Sequence, residues 1–255
     1  LMKGRIRFDA SAGRVRYPLL GTTLDLGRTK GEVLISPQWV VVDKMTGTIW
    51  DGSFTGRVLA QIDDGDALNG SFVLQDMNLT SIGKSYDKKM EKATVHGAIE
   101  FSSKGGNMNS IQAKGEAALV HGDLVEIPLF GFLGEALSNY IPGLGHLINY
   151  KISRADCDFS IEKGYVRTSN FAAQGSNMSL EGGGWIRLSD LQVNSDFKLG
   201  LRGLPGFITS PVFLLAGGLF QVRGTGPLSN VSWNFAPFSG GKAPVPPAAA
   251  PARKR

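Results

Sequence analysis

Apolar and polar residues alternate along three parts of the chain, 154–162, 178–188 and 191–202. Successive side chains of a β-strand point to opposite faces, so a period of two is typical of a strand with one buried face. We therefore predict three long strands joined by tight polar turns. They would form an antiparallel meander with one apolar face and one wet face.

The apolar positions of these strands form the candidate binding surface. They are Ala155, Cys157, Phe159, Ile161, Met178, Leu180, Ile186, Leu188, Leu191, Val193, Phe197 and Leu199. An open apolar surface of this size would cause aggregation if nothing occupied it. What covers this face therefore decides the function of the protein.

Further alternating runs, separated by turn residues, occur in the rest of the chain. They predict additional strands at 54–62, 68–75, 95–101, 111–119 and 231–235, with β-branched runs at 33–35 and 40–42. Residues 78–92 carry several lysines and indicate a polar loop or a short surface helix.

Two apolar segments, 127–148 and 205–220, do not alternate. Both are dense in apolar residues, and both are interrupted by proline and glycine. We predict two short apolar helical segments here and no membrane span, because the interruptions leave neither segment long enough.

Glycine is abundant, at 34 of 255 residues, which is about 13% against an average near 7%. Six glycines fall in the apolar register of predicted strands: Gly56, Gly70, Gly97, Gly115, Gly182 and Gly184. Missing side chains on one face let a sheet curl towards that face, whereas ordinary twist and bulges are the competing explanation.

About ten strands present an apolar face, and the predicted helices are too few to cover it. A ten-residue strand is roughly 33 Å long. Two halves could pack as a sandwich, or the sheet could hold its apolar interior open for a ligand. We predict a mainly β fold: a long curled antiparallel sheet that forms an open hydrophobic groove, with two short apolar helical segments.

The formal net charge of +5 does not point to nucleic acid. Four of the positive charges, Lys242, Arg253, Lys254 and Arg255, lie in a segment rich in proline and alanine, and the rest of the chain is nearly neutral. We predict a disordered tail at 239–255 and no nucleic-acid partner.

No catalytic, cofactor or metal motif occurs in the sequence. His96, His121 and His146 are isolated from one another and from other ligands at metal-binding spacing. The single cysteine, Cys157, lies in the apolar register and is expected to be an inert buried thiol. We therefore expect a protein that is not an enzyme and that uses no cofactor.

The order of elements from residue 110 to 238 resembles the C-terminal region of the AsmA family. In that region a glycine-rich strand and an apolar helix precede a meander of the form F-x-I-x-x-G-x-x-x-T and then a G-x-G strand. The matching residues here are Phe159, Ile161, Gly164, Thr168, Gly182 and Gly184. Residues 20–80 carry a looser version of the pattern.

The resemblance implies a bridge-type lipid transport protein, similar to the TamB-like and YhdP-like proteins. It implies phospholipid as the partner, a periplasmic location and support of outer-membrane biogenesis. We expect an inner-membrane anchor in an N-terminal segment absent from this chain. Residues 1–109 would form an N-terminal portion of the groove, and residues 110–238 the AsmA-like β domain.

Two questions stay open at this level. The 127–148 segment and the basic tail are the two candidates for membrane contact, with core packing and a solvated end as the respective alternatives. The competing function is a closed β-sandwich that binds protein or sugar without transporting lipid.

Overall fold

A computed structural model shows, in the residues that it describes, one long antiparallel sheet and very little helix. The structure describes residues 4–11, 13–17, 22–62, 67–85, 92–105, 108–120, 152–176, 178–201, 219–228 and 230–237. The strands are β1 (Gly4–Ala10), β2 (Gly13–Tyr17), β3 (Thr22–Ile35), β4 (Trp39–Ile49), β5 (Gly52–Gln61), β6 (Leu68–Asn78), β7 (Thr94–Ser103), β8 (Gln112–Val120), β9 (Ile152–Glu162), β10 (Tyr165–Gly175), β11 (Met178–Arg187), β12 (Gln192–Leu201), β13 (Leu219–Pro227) and β14 (Ser232–Pro237). The helices within these ranges are α1 (Leu79–Ser85) and a 3-10 turn at Met108–Ser110.

From β3 onward every strand pairs with its neighbours in sequence. Strands β1 and β2 both pair with β3 in one unchanged register, so they lie end to end along the same edge. The sheet thus has thirteen strand positions. Within the described residues no pairing joins β1 to β14, so the sheet is open. The mainly β, open-sheet prediction is confirmed.

Among the strands from β9 to β14, the sequence analysis missed two. The meander predicted as three strands contains four, because β10 lies between β9 and β11. Its alternation is broken by a register shift between Thr168 and Phe171, which hides the period of two. The other missed strand, β13, begins at Leu219, so the helical segment predicted at 205–220 is wrong for its last two residues.

Two of the candidate residues lie beyond the ends of their predicted strands. β11 ends at Arg187 and β12 begins at Gln192, so Leu188 and Leu191 belong to the connection between them. Leu191 has a positive φ of 54° and is 49% exposed. The physical reason is that a reversal needs left-handed backbone, which interrupts the alternation that seemed to continue through it.

The remaining predictions concern the helices, the tail and the domain boundary. Within 78–92 the structure has α1, whose first turn is capped by Asn78, since the Thr80 amide donates to its side-chain oxygen at 2.9 Å. The segments 127–148 and 205–218, and the tail at 239–255, lie outside the described residues. The sheet runs without interruption across the predicted boundary at 109/110, because β7 pairs with β8.

Candidate functional site

The register of the strands brings the candidate residues onto one face. Directly opposed residues in an antiparallel pair share a face. Leu180 is opposite Leu199, and Ile186 is opposite Val193. Ten of the twelve candidates, all except Leu188 and Leu191, lie on β9, β11 and β12 and on this face. We call it the apolar face and its opposite the polar face.

The apolar face continues over the whole sheet. Following the paired residues from strand to strand leads from Ile6 and Phe8 on β1 to Trp233 on β14. Among the side chains that the structure describes, no charged group occupies a paired position on this face. Its polar side chains there are Thr29, Ser103, Thr168 and Ser195. With about 4.8 Å between strands, thirteen positions span roughly 60 Å.

Aromatic rings on this face lie over glycines of the adjacent strand. A Cβ added to Gly56 would lie 2.4 Å from the ring of Phe72, and one added to Gly115 would lie 2.4 Å from the ring of Phe159. The same relation recurs along the sheet. The further pairs are Phe8 with Gly31, Phe54 with Gly47, Phe101 with Gly70, and Trp233 with Gly224.

These pairs explain Gly56, Gly70 and Gly115 in a way that the sequence analysis missed, whereas the atom nearest to a Cβ at Gly97 or Gly184 is a backbone carbonyl oxygen. Glycine leaves the space in which the neighbouring ring lies down along the sheet, so the rings cover backbone and leave the space above the sheet free. The sequence of a single strand does not indicate this ring–glycine pairing, because Gly70 and Phe101 become neighbours only when β6 pairs with β7.

The rings also contact one another in rows. Phe72 is stacked on Phe101 with centroids 6.1 Å apart and planes 2° apart, and Phe54 lies 6.4 Å from Phe72. On the other half of the sheet, Phe197 contacts Phe171 at 5.5 Å and Trp233 at 6.4 Å. Both rows run across the strands, along the long dimension of the face.

Burial is uneven along the face. On β11–β13, Leu180, Leu199 and Val222 are at most 1% exposed, so they form packed core. Met178 and Val193 are also buried. In contrast, five of the candidates present part of their surface to solvent, and a ligand can contact them there: Cys157, Phe159, Ile161, Ile186 and Phe197.

Helix α1 covers the apolar face at one end of β3–β6. Ile82 packs on the buried cluster of Ile49, Phe54 and Met77. Although α1 follows β6 directly, it also contacts β3, as expected for a sheet curled around its apolar face. The indole of Trp50 donates to the Ser85 hydroxyl at 3.0 Å and holds the helix to the β4–β5 turn.

Cys157 is half-buried, so the expectation of a fully buried thiol is wrong, but its environment does not favour nucleophilic chemistry. Burial raises the pKa of its thiol, and the neighbouring carboxylates of Asp158 and Asp156 raise it further. A thiol with a raised pKa carries little thiolate at neutral pH. Within the described part of the chain, no group of three or more His, Cys, Asp and Glu side chains could hold a metal ion.

Comparison with known proteins found no matching family model, no matching curated protein and no matching solved structure. The resemblance to the AsmA family therefore rests on the sequence motifs alone. In the ranges that the structure describes, no helix has the length and apolarity needed to cross a bilayer.

Proposed function

We propose that this chain binds the acyl chains of phospholipids on its apolar face and lets them move along it, as part of a bridge between membranes. The observation that carries the proposal is an open sheet with one continuous face, on which no described paired position is charged. Each CH₂ removed from water contributes about 0.8 kcal/mol, and no charge interrupts the path.

The dimensions of the face suit this role. The hydrocarbon core of a bilayer is about 30 Å thick, so the acyl chains of one leaflet occupy about 15 Å. A face of roughly 60 Å is therefore several lipids long. Rings that lie over glycines lower the relief of the face at those positions, which favours sliding of a flexible chain.

The family resemblance extends the proposal to the whole protein. On that basis we place the chain in the periplasm, in a protein anchored to the inner membrane, where it would move phospholipid towards the outer membrane. It would have no catalytic role and no cofactor.

The burial of Leu180, Leu199 and Val222 favours the alternative function for one part of the sheet. If the cover over β11–β13 is permanent, this part is a closed binding module, and lipid would be confined to β3–β10. The two functions differ in where lipid contacts the chain, so a contact map separates them.

Photo-crosslinking of the full chain in cells tests the proposal. A photoreactive amino acid at Phe159, half-buried on the apolar face, should capture diacyl lipid. The same group at Asp158, exposed on the polar face of the same strand, is the control and should not. Native mass spectrometry of gently purified protein should find bound phospholipid. Equal capture at both positions, or no lipid in several mild preparations, would contradict the proposal.

A charge placed in the path tests movement separately from binding. In Ile99→Glu a carboxylate enters the apolar face between β6 and β8. We expect crosslinking to continue on one side of the block and to fall on the other. The control is Val73→Glu, at a polar-face position that is 43% exposed. Wild-type crosslinking on both sides of Ile99→Glu would refute transport.

A further inference from the structure

The β1 end of the sheet carries an excess of positive charge on its polar face. Among the described side chains of β1, β3, β4 and β5 there are three carboxylates, Asp9, Glu32 and Asp43. The same strands carry six cationic side chains: Arg5, Arg7, Arg28, Lys30, Lys44 and Arg57. All six belong to ion pairs, but Arg5, Arg7 and Lys44 share one carboxylate, that of Glu32, at 4.0, 3.1 and 3.9 Å.

The exposed surface of this region is therefore cationic. The six cationic side chains are 54–77% exposed, whereas the three carboxylates are 16–47% exposed. The middle of the same polar face has the opposite sign. Strands β7, β8 and β9 carry two cations, Lys114 and Arg154, and five carboxylates: Glu100, Glu116, Asp156, Asp158 and Glu162.

Three exposed isoleucines lie at the same end of the sheet. Ile6 and Ile62 are each 54% exposed, and Ile35 is 39% exposed. Ile35 is opposite Gly4 at the start of β1, and the Ile62 amide donates to the Gln38 carbonyl beyond the end of β3. These residues occupy one corner, where β1 begins and β3 and β5 end. We call it the isoleucine corner.

We propose that the β1 end of the sheet docks on the surface of an anionic phospholipid bilayer, with the isoleucine corner in the interface and the cations on the headgroups. Ile6 and Ile35 lie on the apolar face and the cations on the polar face, so a bilayer that meets the β1 edge contacts both. Apolar burial and attraction to anionic lipid then add together in the interfacial region of the membrane. The inference rests on the proposed function, because lipid must enter the path from a membrane.

The same features argue against two other occupants. Edge-to-edge antiparallel pairing of two copies of β1 about Ile6 would place Arg5 opposite Arg7. Like charges opposite each other destabilise a sheet, and charged side chains are a common protection of edge strands. Nucleic acid would use the cations but would leave three isoleucines exposed, since its contacts are to phosphates and stacked bases.

Vesicle flotation of the full chain tests the docking. The probes are phosphatidylcholine vesicles with and without phosphatidylglycerol. We expect binding to the anionic vesicles that weakens as salt rises. The double variant Arg5→Gln/Lys44→Gln leaves Arg7 to pair with Glu32, so the fold keeps its closest ion pair there. It should lose about fivefold in affinity for each cation, roughly 25-fold in all.

Matched variants at the middle of the sheet and outside the corner are the controls. Lys114→Gln/Arg154→Gln removes the same charge from β8 and β9 and should bind like wild type. Ile6→Ser/Ile62→Ser should weaken binding about tenfold or more. Its control, Val73→Ser/Leu191→Ser, changes two exposed apolar residues outside the isoleucine corner and should not.

Several outcomes would overturn the inference. These are equal binding to neutral and anionic vesicles, equal losses in the control variants, a β1-dependent dimer by light scattering, or a preference for single-stranded DNA over vesicles that the corner variants do not change. Failure of the proposed function looks different. Flotation would then follow the corner variants as expected while purified protein held no lipid and Phe159 captured none.

Discussion

The pairing of aromatic rings with glycines predicts a specific coupling between Gly70 and Phe101. A Cβ at residue 70 would lie 2.6 Å from Cζ and 2.7 Å from Cε1 of Phe101, and 3.0 Å from the Arg57 carbonyl oxygen. Carbon atoms in contact are about 3.5–4.0 Å apart, so the ring must move by roughly 1 Å. Overpacking of this kind costs about 1–3 kcal/mol.

The net effect of Gly70→Ala is smaller than this cost. Alanine also lowers the conformational entropy of the unfolded chain, which stabilises the fold by about 0.4–1 kcal/mol. The free energy of unfolding therefore falls by a net of about 0.5–2 kcal/mol. For a chain of this size, that lowers the melting temperature by about 1–8 °C. Urea unfolding followed by circular dichroism measures the free energy directly.

A double-mutant cycle isolates the contact. In the Phe101→Leu background the ring is absent, so Gly70→Ala should be neutral or stabilising by about 0.4–1 kcal/mol. The matched control is Gly97→Ala, on the same face of β7, where the nearest atom is the Glu116 carbonyl oxygen at 3.2 Å. It should change stability by about 0.5 kcal/mol or less. An equal cost of Gly70→Ala in both backgrounds would refute the ring–glycine explanation.

Three further predictions concern single positions. Leu180 is 1% exposed, so Leu180→Glu should lower the free energy of unfolding by roughly 3 kcal/mol or more in chemical denaturation. The control Glu181→Leu, on the polar face, should be nearly neutral. A normal melting curve for Leu180→Glu would show that this site opens to water. The Arg187 guanidinium holds the pKa of the Asp190 carboxyl below its ordinary value through two hydrogen bonds at 2.8 and 2.6 Å. This pair therefore stabilises the fold above about pH 4, and its contribution is lost as the pH falls through the lowered pKa. Asp190→Asn should flatten the fall of stability in acid, and an unchanged fall would contradict the assignment. Because burial raises the pKa of the Cys157 thiol, it should react with a disulfide reagent more slowly than a cysteine placed at the exposed Ser153, and equal rates would show that the thiol is accessible.

Much of the fold was predictable because strand formation leaves a local signal. The alternation at 54–62, 68–75, 95–101 and 111–119 predicts β5, β6, β7 and β8 within a few residues of their observed bounds. The same signal assigned ten of the twelve candidate residues to one face. It failed at β10, where a bulge shifts the alternation, and at β13, where Gly224 and Gly226 occupy apolar-face positions without side chains.

The sequence by itself determined that this protein is a set of amphipathic strands with one apolar face, because the period of two is set by backbone geometry within each strand. The tertiary structure decided which residues from different strands meet. Phe101 and Gly70 are 31 residues apart in sequence, and the isoleucine corner draws on β1, β3 and the end of β5. Such contacts depend on the register between strands, and register is fixed by packing and bulges over the whole sheet, which no single stretch of sequence contains.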